Sequence, residues 1–374
     1  MEKPSITPDD CGALDCLQEA LESLGFKCER KIFSEEGTAD VDNLYARLGT
    51  ATPNICFAGH TDVVPPGNLK DWTSPPFEPE IRDGMLYGRG AVDMKASIAC
   101  FVGAVSDYLQ VNGEPKGSIS FLITGDEEDV AINGTRKMLT YLEEKGEKLD
   151  ACIVGEPTNP NELGDMIKIG RRGSVCFVLT VHGVQGHVAY PQLAFNPIPH
   201  AVNVLSEISA HNLDDGTEFF DPSNLEITSI DVGNKADNVI PASVRIMFNI
   251  RFNDKHQSKT LIKWIEGVCD SITETNAAKY ELKHRVSGES FITQPGPLSD
   301  IVSQAVKEIT NKTPELSTTG GTSDARFIKD YCPVVECGLI NQTAHKVDEC
   351  AKVIDIENLT KIYSKVLEKF FAQK

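Results

Sequence analysis

Five apolar segments of this 374-residue chain each run into a histidine or an acid where they stop. They are Phe57-Ala-Gly-His60-Thr-Asp62, Leu86-Tyr-Gly-Arg-Gly-Ala-Val-Asp93, Thr124-Gly-Asp-Glu127-Glu128, Ile153-Val-Gly-Glu156-Pro and Thr343-Ala-His345-Lys. An open α/β sheet binds its ligands in the crevice beyond the carboxyl ends of its strands. Chain ends of this kind therefore predict such a sheet with one site at its rim. Two histidines among carboxylates predict a hard, water-activating metal centre. Taken singly, each residue also has an ordinary role. Asp93 suits the N-cap of the helix that follows, His60 suits a turn, and Glu127 and Glu128, beside Asp126 and Asp129, suit a solvated acidic loop.

The chain is long enough for two domains. Its formal charge of −19 argues against nucleic acid or an anionic membrane as partner. No apolar run approaches the length of a membrane span. Residues Met1 to Asp10 are polar and carry no apolar signal region. Eleven cysteines, an odd number without a C-x-x-C pair, predict a reducing cytoplasm and not a disulfide framework. Cys56, Cys100, Cys152, Cys176 and Cys269 sit in apolar stretches and read as small buried hydrophobes.

Apolar periodicity predicts helices over Cys11–Leu24, Met94–Leu109, Asn133–Lys145, Leu298–Ile309 and Ile356–Gln373. Strands are predicted at Asn43–Leu48, Asn54–Ala58, Ser118–Thr124, Asp150–Glu156 and Val334–Leu339. His60 and Asp62, two apart at a strand end, point to one side, where the Asp can accept the far ring N–H. Between them and the last strands the character changes. Ile167–Val181, broken only at Arg171-Arg172-Gly173, is followed by a helix over Pro199–Ala210, strands Leu225–Val232 and Ser243–Phe252, a helix Thr260–Ile272 and a strand Lys279–Val286. That β-α-β-β-α-β order has a ferredoxin-like look. The expected division is a catalytic domain over 1–172 and 287–374, interrupted by an insertion over 173–286.

With these segments assembled, the chain resembles the M20 family of zinc peptidases and deacylases, essentially end to end. His60-Thr-Asp62, Gly90-x-x-Asp93-Met-Lys95, Asp126-Glu127-Glu128, Gly155-Glu156-Pro157 and His345-Lys346 match the family's motifs in order. The resemblance implies an α/β zinc-peptidase-like catalytic domain, a mixed sheet flanked by helices, with an inserted α+β ferredoxin-like dimerisation or lid domain. It also implies two zinc ions per subunit, with cobalt or manganese as substitutes, bridged by Asp93. His60 and Glu156 would complete one ion, and Glu128 and His345 the other. Glu127 would be the general base, and Asp62 would orient His60. His187 would reach the partner subunit's site and stabilise an oxyanion, which makes a homodimer the expected active form.

Within the family a narrower set of segments carries a closer resemblance, which implies an amidohydrolase for an N-succinylated diamino dicarboxylic acid. These are Gly59–Gly67, Gly170-Arg-Arg-Gly-Ser174, Gly186-His-Val-Ala-Tyr-Pro191, Asn238-Val-Ile-Pro241 and Gly320-Gly-Thr-Ser-Asp-Ala-Arg326. An acetylornithine-type deacetylase or an M20 peptidase is the alternative. Arg171, Arg172 and Arg251 are candidates to meet the substrate's carboxylates; surface charge at a domain hinge is the other reading of the first two. Asn238, Gly321, Thr322 and Asn341 match family positions that line the substrate pocket. Members of the family usually carry a further helix before the stretch seen here at Pro4–Asp10, so packing, but no ligand, would be missing.

Overall fold

The computed structural model describes residues 1–274 and 279–372. Its contacts divide the chain into two units. One comprises Met1–Gly170, Thr293–Ser317 and Ser323–Lys374, the other Arg171–Ile292 and Thr318–Thr322.

The first unit is built on an eight-stranded mixed sheet. Its order is Lys27–Phe33, Val41–Leu48, Ser118–Thr124, Asn54–His60, Ala151–Val154, Val334–Glu336, Met166–Lys168 and Glu315–Ser317. Strands Ser118–Thr124, Asn54–His60, Ala151–Val154 and Val334–Glu336 pair in parallel at its centre. All four are buried along their whole length, because both faces are covered. Helices Lys95–Asn112 and Val353–Ala372 pack together, and Pro297–Thr310 packs against the latter. An aromatic cluster joins sheet to helices: Phe57 stacks on Phe101 at 4.6 Å, and Tyr363 meets both rings edge-on. The expected end of the last helix at Gln373 lies outside the described residues.

The strand Lys27–Phe33 has no counterpart in the sequence-based reading. Its Lys-Cys-Glu-Arg-Lys-Ile-Phe run is mostly polar because it is an edge strand, half exposed and paired only to Val41–Leu48. Asp93, too, departs from its ordinary role. The residue at the helix N-cap is Met94, and no side chain caps the helix.

The second unit is a four-stranded antiparallel sheet in the order Asn224–Asp231, Ser243–Phe252, Gly173–His182, Lys279–Gly288. Numbered along the chain this is 2-3-1-4, the ferredoxin-like arrangement expected from the sequence. Val175, Phe177, Leu179 and Val181 alternate inward and meet Val244, Ile246, Phe248 and Ile250 beneath helices Ile198–Ala210 and Ser258–Glu274. Among the described residues, no helix is long and apolar enough to cross a membrane.

Candidate metal centre

Three adjacent parallel strands end together in the first unit. Asn54–His60 delivers His60, Ser118–Thr124 leads to Glu127 and Glu128, and Ala151–Val154 leads to Glu156. Asp93 comes from the turn before helix Lys95–Asn112, and His345 from the turn after a short 3-10 segment, Asn341–Thr343. These six side chains converge. His60 Nε2 lies 3.2 Å from Asp93 Oδ1 and 3.5 Å from Glu156 Oε1. His345 Nε2 lies 3.2 Å from Asp93 Oδ2 and 3.0 Å from Glu128 Oε1. Asp93 thus presents one oxygen to each imidazole, with a second acid beside each. Glu127 lies on the first side, its carboxylate within 4.8 Å of the ligand atoms of His60 and Glu156.

The His60–Asp62 contact forms differently from the one expected. His60 Nδ1 lies 2.9 Å from the carbonyl oxygen of Asp62, whereas the Asp62 carboxylate is 3.6 Å away and accepts the N–H of Glu128 at 3.1 Å. A carbonyl can only accept, so the ring carries a proton on Nδ1 and leaves Nε2, turned toward Asp93, as the nitrogen that a metal could bind. Asp62 fixes the tautomer through its backbone, and its side chain holds the Glu128 peptide.

Two observations test the fit to a metal. His60 Nε2 and Asp93 Oδ1 are buried without a hydrogen-bond partner, which is costly unless a cation satisfies them. The donor set, imidazole nitrogen with carboxylate oxygen, is one that zinc accepts. The residues therefore fit.

Charges in the cluster shift one another. Burial opposes charge on His60, yet Asp93 and Glu156 outweigh it and hold its proton affinity well above that of free histidine. Asp93 and Glu128 raise His345 to about 10. Burial also opposes ionisation of Asp93, but the two imidazoles keep it below the usual carboxylate range. Burial, then the charge of Asp93, pushes Glu156 up to about 7. Glu127 is pushed well above the ordinary range, by burial first and by Glu156 next.

Two residues that hold this arrangement were not singled out from the sequence. Glu349 is fully buried and accepts the backbone N–H groups of Gly90, Val92 and Asp93. Arg89 pairs with it at 2.8 Å. Gly90 itself has φ +84°, and a Cβ there would crowd Val63 and Lys95. A third, Arg326, closes the quoted Gly320–Arg326 segment; its guanidinium lies 3.9 Å from Glu127 and 3.9 Å from Asp324.

The remaining predicted residues are placed as follows. Asn341, in the first unit, is exposed, and its N–H bonds the carbonyl of Asn159. In the second unit, His187 is exposed on a two-residue strand paired with Val239–Ile240. Its Nδ1 accepts the N–H of Ala189. Asn238 is exposed and its carbonyl accepts the N–H of Val188. Arg171 is buried and bonds the carbonyl of Thr319, on the loop that continues to Gly321 and Thr322. Arg172 bonds Asn224, which stands in register with Arg251. Burial, with the charge of Arg172 adding to it, lowers Arg251.

The comparisons agree with this architecture. Residues 56–369 match the model of peptidase family M20/M25/M40. A succinyl-diaminopimelate desuccinylase of Parvibaculum lavamentivorans is 57% identical over 369 residues, covering 99% of this chain and 93% of the relative. Among solved structures, an M20 family metallo-carboxypeptidase of Sulfolobus solfataricus superposes with a TM-score of 0.78 at 16% identity, covering 100% of this chain and 97% of the other. A dinuclear metal-binding M20 peptidase of Bacillus subtilis gives a TM-score of 0.71 at 16% identity, covering 100% and 95%. The family model and the identity to the desuccinylase relative, with a fold that agrees, lead to one assignment: the chain belongs to peptidase family M20/M25/M40.

Proposed function

We propose that the protein hydrolyses the amide bond of N-succinyl-L,L-2,6-diaminopimelate, giving succinate and L,L-diaminopimelate, a step of diaminopimelate and lysine biosynthesis. The observation that carries this reading is the Asp93 carboxylate, with one oxygen toward each of two imidazoles, in a chain 57% identical to a desuccinylase over almost its whole length. Two metal ions fit best as zinc. His60, Glu156 and Asp93 would hold one, and His345, Glu128 and Asp93 the other. When bound, such a pair acidifies water and polarises the amide carbonyl.

The chain's own residues supply the rest. Glu127 takes a proton from the attacking water and delivers it to the leaving amine, for which its high proton affinity suits it. The backbone of Asp62 keeps His60 in its ligating tautomer. Arg171, Arg172 and Arg251 are the proposed bidentate partners of the substrate's carboxylates, and Asn238, Gly321, Thr322 and Asn341 are proposed to contact the rest of the substrate.

The inserted unit acts as a dimerisation module. Its segment from Val184 to Val202 exposes Val184, Val188, Tyr190, Leu193 and Val202, with Leu193 73% exposed. Exposed apolar side chains gathered in one stretch mark an association surface. His187 lies within that stretch and supplies the oxyanion contact across the dimer.

The test is release of succinate from N-succinyl-L,L-diaminopimelate by zinc-loaded protein, with N-acetylornithine alongside. Turnover confined to the succinylated compound is the expected result. Turnover of the acetylated compound instead would keep the metal chemistry and overturn the substrate.

A further inference from the structure

The ligands of the candidate centre come from separate loops, and a metal site works only if those loops are held in register. One buried pair reaches three of them. Oε1 of Glu349 accepts the N–H of Val92 at 2.7 Å and of Asp93 at 3.1 Å. Its Oε2 accepts the N–H of Gly90 at 3.0 Å and Arg89 Nη1 at 2.8 Å. Arg89 Nη1 also reaches the carbonyl of Lys346, beside His345, at 3.2 Å, and Nη2 reaches that of Pro65, in the loop after His60, at 3.5 Å. The guanidinium lies 5.2 Å from the Trp72 ring, and both side chains of the pair are almost wholly buried.

Such a pair is expensive to bury for stability alone. Here four hydrogen bonds satisfy the carboxylate, and three of them are to the backbone of the Asp93 turn. Glu349 also follows His345 by four residues on the same loop. His345 has φ +61°, a left-handed conformation that non-glycine residues hold only when their surroundings impose it.

We propose that Arg89 and Glu349 form a positioning clamp for the metal centre. Glu349 aims the carboxylate of Asp93 by fixing its peptide, and Arg89 ties the backbones flanking His345 and following His60 to the same point. Neither residue touches metal or substrate. The proposal rests on the reading of Asp93 and His345 as ligands.

The test uses full-length protein loaded with cobalt(II), whose visible absorption reports coordination geometry. Glu349→Asp keeps the carboxylate but shortens the reach to the turn by one methylene; Glu349→Gln keeps the length but puts an NH2 group against N–H donors. Cobalt affinity, measured by chelator competition, is expected to fall about 10- to 100-fold in both, the range for groups that orient ligands. The visible band should shift, and kcat should fall while KM holds. Arg89→Lys, which keeps charge but not the fork, should show a smaller change in the same direction. Folded Glu349 variants with wild-type affinity and spectrum would overturn the clamp. So would a Glu349→Asp protein that does not fold, since the residue would then be structural. Wild-type protein that binds no cobalt would overturn the ligand reading and the clamp with it.

Discussion

Asp93 and Glu127 are both acids at the rim of one sheet, yet their surroundings give them opposite tasks. The two imidazoles favour the ionised form of Asp93, the form that the proposed ligand role requires. Burial and neighbouring acids raise the proton affinity of Glu127, which suits a group that takes a proton from water and passes it on. Glu127→Gln is therefore expected to lower kcat by at least about 100-fold, the low end for general acid–base catalysis, while elemental analysis finds metal content unchanged. Normal turnover would remove Glu127 from the mechanism. In the metal-free site the raised proton affinity of His345, to about 10, makes protons compete with metal. Metal binding at neutral pH then releases protons, so apparent affinity should rise with pH between about 6 and 9; a chelator competition series that is flat with pH would contradict this. The convergence of the six side chains was legible because a histidine or acid directly after an apolar run is unusual. Glu349 was not, since in Lys346-Val-Asp-Glu349 it reads as one more solvated acid. Its burial follows only from the fold-back of that loop onto Gly90–Asp93.

At the scale of elements, central strands were readable and edges were not. Ser118–Thr124 is continuous apolar sequence because both faces are covered, whereas Lys27–Phe33 keeps its charge because it borders solvent, with Arg30 paired to Asp42 and Asp15. Local ties of side chain to backbone were equally hidden. In the second unit Asp214 accepts the N–H groups of Gly216 and Ser223, the Asn253 amide at 2.5 Å, and faces His256 Nε2 at 3.0 Å. Burial opposes its charge, but the Ser223 hydroxyl, the Gly216 N–H, the Asn253 amide and the Ser223 N–H prevail and hold its carboxyl down to about 2. A depressed carboxylate stabilises the fold above its unfolded value and loses that contribution as pH falls toward its folded one. Asp214→Asn is thus expected to cost about 1.5–3 kcal/mol at pH 7. The gap from wild type, measured by denaturant unfolding, should narrow as pH falls from about 4 toward 2. An equal gap at pH 7 and pH 2 would mean the carboxylate charge is not what stabilises the knot.

For the whole molecule, candidate ligands on both sides of an insertion led to an expected catalytic domain over 1–172 and 287–374; the contacts place Arg171–Ile292 and Thr318–Thr322 in the second unit, a finer boundary than the sequence carried. The sequence could not carry how the insertion acts, because an exposed histidine looks the same in a loop and in a site. His187→Ala is expected to lower turnover by about 100-fold or more, the loss typical of an oxyanion donor, while light scattering still reports a dimer. Unchanged turnover would leave His187 a loop residue. The most direct test of the central claim is anomalous diffraction at the zinc edge from metal-loaded crystals. Two peaks flanking Asp93, one beside His60 and Glu156 and the other beside His345 and Glu128, with Glu127 bound to neither, are the expected result. A single peak, or Glu127 in the place of Glu156, would contradict it.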